Sequence, residues 1–290
     1  MKQHISVLED EVIRYLSPQP GKVYVDATCG SGGHAKRILE ETGGRCFLIG
    51  IDKDKNAIKR AEENLRKFSG SFTIIEGGFE EIDSIIKMTK TETVDGILFD
   101  LGFSTEQISE KERGFSFLLE GPLDMRYSKK TYLTAEKIIN HYSMQELAGI
   151  FKEYGELKNP YNIVKKIIEK RKKSPFKTTT EFADFISHFY RSPKKKIHPA
   201  TLFFQSLRIA VNNEIENLKT GLQKGWEILN KNGRMIVLSF HSLEDRVVKN
   251  FFRSRENINI LTKKPVIAQD LEIFINPLSR SAKMRAGEKK

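Results

Sequence analysis

Four short stretches hold the residues whose types and spacing can do chemistry. The first, Val25-Asp26-Ala27-Thr28-Cys29-Gly30-Ser31-Gly32-Gly33-His34, runs from an apolar segment into a helical pattern. Glycines let the backbone pass close to a ligand, and a helix N-terminus offers free N–H groups and a positive dipole end. Gly30-x-Gly32-x-x-Ala35 fits a dinucleotide fingerprint, and Asp52 stands where a ribose-binding acid belongs, about 20 residues downstream. Asp26, just ahead of the loop, suits a cationic ligand end better than a pyrophosphate. S-adenosylmethionine, with an ammonium, a sulfonium and no phosphate, answers that description better than NAD.

The other stretches admit two readings each. Asp52 either accepts hydrogen bonds from both ribose hydroxyls or caps the helix after it, a task Asp54 can also perform. Phe79, after Gly77-Gly78, either lies against an adenine or belongs to the core. The fourth stretch is Phe99-Asp100-Leu101-Gly102-Phe103-Ser104, whose Asp100 to Phe103 spacing is similar to the Asp-Pro-Pro-Tyr motif of amino-group methyltransferases, without its prolines. An exocyclic base amine is a poor nucleophile because its lone pair is delocalised into the ring. An acceptor that draws the N–H out of plane and an aromatic face that holds the base answer that difficulty. Asp100 either does this or holds the cofactor. Cys29, inside the glycine loop, is expected to pack against the cofactor and not to act as a nucleophile, and no metal is required.

These residues need a frame, and the chain predicts one. Strands are expected near 22–26, 46–52, 72–76 and 94–100, with helices over 34–41, 56–68 and 79–88, the signature of a parallel sheet covered by helices. Asp26, Asp52 and Asp100 then fall at the carboxyl edge, where open α/β sheets bind ligands. Over 105–198 no strand is expected, only capped helices: Ser143 with Glu146, Thr178 with Glu181, and Asn159 before Pro160. The α/β pattern resumes with a helix-rich stretch to 229, a strand over 234–240, a helix over 243–253, strands at 258–263 and 282–285, and a loop between those two. The expected fold is therefore an α/β Rossmann-type core, 1–104 with 199–290, interrupted by a helical domain, 105–198.

Charge and composition narrow the partner. The chain has 290 residues, 39% of them hydrophobic, and 49 Lys and Arg against 38 Asp and Glu leave +11. The stretch 105–198 holds 19 basic and 12 acidic residues, so +7 of that excess lies in a third of the chain. It gathers in the run from Lys165 through Lys170-Arg171-Lys172-Lys173 to Lys177 and in Lys194-Lys195-Lys196. Such runs either form a solvated helix face or contact phosphates, and a polyanion gains affinity with each phosphate neutralised. No apolar run approaches the length of a membrane span, and the start is broken by Glu9, Asp10 and Glu11, so a cytoplasmic location is expected. Two cysteines form no disulfide framework. An NAD-linked oxidoreductase shares the glycine fingerprint but has no use for Asp26 or the basic insertion. A non-catalytic RNA-binding assembly factor on the same fold is the other alternative.

Longer motifs carry a family resemblance. His4-Ile5-Ser6-Val7-Leu8, the Asp26 to His34 loop, Asp100-Leu101-Gly102, Glu112-Arg113-Gly114-Phe115-Ser116-Phe117, Gly121-Pro122-Leu123-Asp124-Met125-Arg126, His198-Pro199-Ala200-Thr201, Ser239-Phe240-His241-Ser242-Leu243-Glu244-Asp245-Arg246 and Arg280-Ser281-Ala282-Lys283-Met284-Arg285 follow in order. Together they resemble the ribosomal RNA small-subunit methyltransferase H family, cytidine N4-methyltransferases. The resemblance implies a class I methyltransferase core and transfer of a methyl group from S-adenosylmethionine to N4 of a cytidine in the decoding region of small-subunit ribosomal RNA, within the small subunit and away from membranes. It implies a cofactor site of Gly32, Gly33, His34, Asp52, Phe79, Asp100 and Gln107, to which the fingerprint adds Gly30. Candidate substrate contacts are Phe103, Arg113, Arg126, Lys170, Arg171, Lys172, Lys173, Ser239 and His241. Phe103 stands where the family commonly has a smaller aliphatic residue. Ser239 to Ser242 either face the flipped cytosine or cap a helix, and Asp124 with Arg126 either pair or free the guanidinium for RNA.

Overall fold

The computed structural model describes residues 6–102, 110–190 and 198–290. Phe103 and Gln107 lie outside them, as do Lys194 to Lys196. The chain divides into two compact units, 1–102 with 215–290 and 103–214.

The first unit is a seven-stranded sheet in the order β3-β2-β1-β4-β5-β7-β6. Its strands are β1 (Val23–Asp26), β2 (Phe47–Asp52), β3 (Phe72–Glu76), β4 (Val94–Asp100), β5 (Leu229–Ser239), β6 (Ile258–Ile260) and β7 (Lys283–Lys289). The first five run parallel, and β7 is antiparallel to both neighbours. Parallel strands covered on both faces must be apolar throughout, and Ile49, Ile51, Ile97, Leu98, Phe99, Val237 and Leu238 are fully buried. This is the class I methyltransferase fold expected from the sequence. Strand order reverses at β1 and β4, so Asp26 and Asp100 flank the switch point where such sheets bind ligands.

Three helices cover the first strands: α1 (Glu9–Leu16), α2 (Gly33–Glu41) and α3 (Lys55–Leu65), followed by α4 (Ile82–Met88). Two features at the far end depart from the expectation. β5 starts at Leu229 with a shift of register between Val94 and Gly96, so Asn230 to Gly233 bulge from the ladder before the predicted start at Arg234. β7 extends to Lys289, although Lys283, Arg285, Glu288 and Lys289 give it no apolar run. It is held because it is the antiparallel partner of β5, from Arg234↔Glu288 to Ser239↔Lys283, and because Arg285 donates to Asp245 at 2.6 Å. The segment read as a loop contains a short helix, Asp270–Ile275.

The second unit is helical, with α5 (Ala135–His141), α6 (Met144–Glu153), α7 (Tyr161–Lys173), α8 (Thr179–Phe189) and α9 (Ala200–Asn212). Ser143 and Glu146 form the expected capping box on α6. Thr178 caps α8, but Glu181 reaches back to the Lys177 N–H rather than to that of Thr178. Asn159 is not a cap: α7 begins at Tyr161 after Pro160, whose carbonyl accepts the Val164 N–H at 2.9 Å.

The boundary at 198 moves to 214. Phe203, Phe204, Leu207 and Val211 of α9 are buried with Ile138, Leu147, Phe151, Ile167, Phe176 and Phe182, and the Phe151 and Phe203 rings meet edge to face at 4.8 Å. Helical periodicity shows that a face is apolar, not which core receives it. The shift leaves the unit's +7 unchanged, since the two charges gained, Arg208 and Glu214, cancel and bond to one another at 2.8 and 2.9 Å.

Arg171 sits at the centre of this packing. Its guanidinium donates to the carbonyls of Ile139 and Tyr142 at 2.5 and 2.6 Å, meeting acceptors that the end of α5 leaves open. Arg171→Met keeps the stem and removes both charged bonds. It is expected to destabilise the helical unit by about 2 kcal/mol in denaturant unfolding. An unchanged midpoint would show that water replaces the guanidinium at no cost.

Candidate active site

The glycine loop is built by backbone hydrogen bonds that pull it across the sheet edge. Ala27 N–H donates to Leu98 O at 2.8 Å, Cys29 N–H to Ile51 O at 2.9 Å and Gly32 N–H to Cys29 O at 2.8 Å. Gly32 enters α2 with φ +83°, and a Cβ on Gly33 would collide with Ser6 Oγ. The loop therefore requires glycine at both positions, one for conformation and one for space.

Asp52 is not the cap of α3. Asp54 performs that task by accepting from Asn56 N–H at 2.9 Å. Asp52 instead accepts from Gly30 N–H and from Asp54 N–H, each at 2.8 Å, so its carboxylate is locked between the loop and the next helix. Each oxygen keeps a further lone pair, the geometry a vicinal diol needs. Burial raises the Asp52 carboxyl, and the two backbone donors oppose that shift.

Behind the loop lie Asp26, His34 and Asp100. Asp26 is 1% exposed and accepts from Thr28 N–H at 3.3 Å, while Thr28 Oγ1 accepts the Asp100 N–H at 2.6 Å. One threonine thus ties the ends of β1 and β4 together. His34, 5% exposed on the first turn of α2, places Nε2 3.5 Å from Asp100 Oδ2. Both ring nitrogens of His34 and Asp100 Oδ1 are buried without a hydrogen-bond partner. Burial pushes Asp26 up from 3.8 to about 7, against the opposing pull of His34 and the Thr28 N–H. Its neutral form thus favours the fold. That contribution is complete below the unfolded value of 3.8 and is lost as pH rises through about 7. For His34, burial lowers the imidazole, but the Asp100 and Asp26 carboxylates outweigh it and the net direction is up.

Cys29 is buried, and burial together with the Asp26 and Asp52 charges raises its thiol well above the ordinary range. A Cβ on Gly50 would stand 2.8 Å from its sulfur, so Cys29 fills the space between loop and strand. Phe79 is both packed and accessible. Its ring meets Phe99 edge to face at 5.8 Å and lies over Gly221, where a Cβ would stand 2.7 Å from it, yet it remains partly exposed.

This donor set fits S-adenosylmethionine. A fixed carboxylate faces a diol, two buried carboxylates suit cationic groups, and the unpartnered atoms of His34 and Asp100 await a polar ligand. Three acids on one edge repel a pyrophosphate, which separates the site from a dinucleotide site that shares the glycines. The full length of the chain, residues 1–290, matches the model of the MraW methylase family. The chain belongs to that family.

Two relatives of this family member bear the name "Ribosomal RNA small subunit methyltransferase H". The one from Persephonella marina is 46% identical and that from Dictyoglomus turgidum 45%, covering 100% and 99% of this chain and 100% and 97% of their own. Among solved structures, an rRNA methylase from Streptococcus thermophilus is similar with TM-score 0.46 and 10% identity, covering 97% of this chain and 93% of that one. As a methylase of this family, the protein depends on S-adenosylmethionine.

The expected substrate contacts fare unevenly in this MraW-family chain. Arg126 is spent on Asp124 through bonds of 2.7 and 2.8 Å and on Thr131 O at 2.7 Å, so the pair fixes its own loop. Arg113 donates to Tyr127 O at 3.1 Å, and its guanidinium lies 5.6 Å from the Phe115 ring centre. Ser239 is buried and donates to Lys283 O at 3.2 Å, holding the β5 and β7 ladder. His241, not Ser242, caps the next helix, α11 (Ser242–Arg253), in a reciprocal box with Glu244. Lys170 bonds Glu181 and Ser174 O, and Arg171 holds α5. Lys172 and Lys173 face solvent, as do Lys165, Lys166 and Lys177. Sequence reasoning missed the clamp made by Thr28 and the fit of Ser6 against Gly33. A small residue opposite a glycine has no pattern of its own in a single sequence.

No helix among the described residues is long and apolar enough to cross a membrane.

Proposed function

We propose that the protein transfers a methyl group from S-adenosylmethionine to N4 of a cytidine in the decoding region of small-subunit ribosomal RNA. The observation that carries this reading is Asp100 Oδ1, buried and unpartnered at the switch point of a methyltransferase sheet. An amine nucleophile must lose a proton, and a carboxylate oxygen without a donor is the group that can take it. The name shared by the relatives supports ribosomal RNA as the substrate.

The cofactor supplies an electrophilic methyl group on a sulfonium. Asp52 orients a diol through its two free lone pairs, and Asp26 offers charge to a cationic end. Thr28 fixes the backbone of Asp100, so its carboxylate is held in place before substrate arrives, which lowers the entropy cost of alignment. A base inside a helix cannot reach such an edge, so the cytidine leaves its stack. The helical unit, 103–214, is the substrate-recognition domain in this reading. Its support is the unit's +7 and the exposed lysines of α7.

Mass spectrometry of small-subunit ribosomal RNA from cells with and without the protein tests the proposal. Loss of one N4-methylcytidine, restored by the wild-type chain and not by a chain lacking Asp100, is expected. An unchanged modification pattern would overturn it, and restoration by the inactive chain would favour an assembly factor.

A further inference from the structure

The cluster behind the glycine loop contains two carboxylates and one imidazole in a space closed to water. Asp26 and Asp100 stand at the ends of adjacent strands, with Asp26 opposite Leu98 in the register and Asp100 two residues beyond. His34 Nε2 is 3.5 Å from Asp100 Oδ2 and Nδ1 has no partner. Glu9 of α1 also faces His34, while Asp52 faces Asp26 and the neutral Cys29 thiol lies between them. With every acid ionised and the imidazole neutral, this buried space would carry at least two negative charges with no counter-charge. Such a group instead retains a proton.

We propose that Asp26, His34 and Asp100 form one proton-holding site that exchanges its proton for the sulfonium charge. The cluster gives up a proton when S-adenosylmethionine binds and regains one at methyl transfer. In that step the carbon–sulfur bond breaks with its electron pair left on sulfur, the N4–carbon bond forms, and the N4 proton passes to Asp100 Oδ1. The sulfonium becomes a neutral thioether just as the proton arrives, so the charge of cluster plus ligand is unchanged. His34 acts here as a positioning residue, through its contact with Asp100. The raised values of Asp26 and His34 agree with a proton shared near neutrality.

The inference rests on the amine-methylation reading only for the source of the regained proton. The exchange itself is measured without RNA, so a wrong RNA target leaves it standing. The experiment is calorimetry of the full chain with S-adenosylmethionine and with S-adenosylhomocysteine at pH 7, in buffers of different ionisation enthalpy. The two ligands share their ammonium, carboxylate and diol and differ in the sulfonium methyl. A group titrating at about 7 is half protonated there, so the sulfonium ligand should release roughly half a proton more than the thioether. Asp26→Asn should bring that difference close to zero, and His34→Gln should shift the pH at which it is largest. Equal proton release by the two ligands in the wild-type chain would overturn the proposal. So would an undiminished difference in folded Asp26→Asn; if that variant does not fold, the wild-type comparison still decides.

Discussion

Asp100→Asn is expected to lower the single-turnover rate of methyl transfer by about two to four orders of magnitude, the range for removing a positioned general base. The substitution is nearly isosteric. The bond that holds residue 100 runs from its backbone N–H to Thr28 Oγ1 and survives the change, so the end of β4 keeps its place. What disappears is the acceptor: an amide oxygen cannot take up the N4 proton at neutral pH, and the contact with His34 loses its charge. Asp100→Ala removes the acceptor and its volume together and should abolish turnover. A folded Asp100→Asn protein that turns over at the wild-type rate would assign the proton to another group. Cofactor affinity measured alongside separates a loss of binding from a loss of chemistry.

Replacing Lys165, Lys166, Lys172 and Lys173 with glutamine is expected to weaken binding of the substrate RNA roughly two-hundredfold near physiological salt, and to flatten the salt dependence by about three logarithmic units. The estimate takes four phosphate contacts at a slope of about 0.7 each for single-stranded nucleic acid. All four side chains face solvent, so their loss leaves the packing of α7 untouched. The contrast is with Lys170 and Arg171 in the same run. Lys170 is tied to Glu181 and Ser174, and Arg171 to α5, so Lys170→Gln should leave the salt slope where it was while Arg171→Met costs stability instead. A slope unchanged by the fourfold replacement would place the RNA surface elsewhere.

The difference between those lysines shows where the sequence stops. Lys170 to Lys173 are four adjacent cations, and nothing in their order says which are solvated. A helix turns about 100° per residue, so a run of four must face several ways at once. Two turn inward to carbonyls and a carboxylate, and two outward. His241 and Ser242 pose the same problem. Both can cap, and the backbone angles at the end of β5 decide for His241. Arg126 has Asp124 two residues away, and the turn between them brings the pair into contact.

The strands and the acids that end them were legible for a physical reason. A parallel strand covered on both faces must be apolar from end to end, and its last residue is the first that water or a ligand can reach. An aspartate closing an apolar run therefore marks the carboxyl edge, and Asp26, Asp52 and Asp100 are all found there. β7 lacked that mark because its polar residues are held by pairing with β5, a contact with residues more than forty positions away. α9 carried a clear apolar face, but only packing assigns that face to the helical core.

The residues by themselves determined the glycine loop, its three acids and the kind of ligand these suit, since local conformation and charge are properties of short stretches. Tertiary structure decided how those acids act. It freed Asp52 from capping, used Thr28 to join Asp26 to Asp100, and buried His34 against both, because desolvation and the distance between charges arise only when distant segments are packed together.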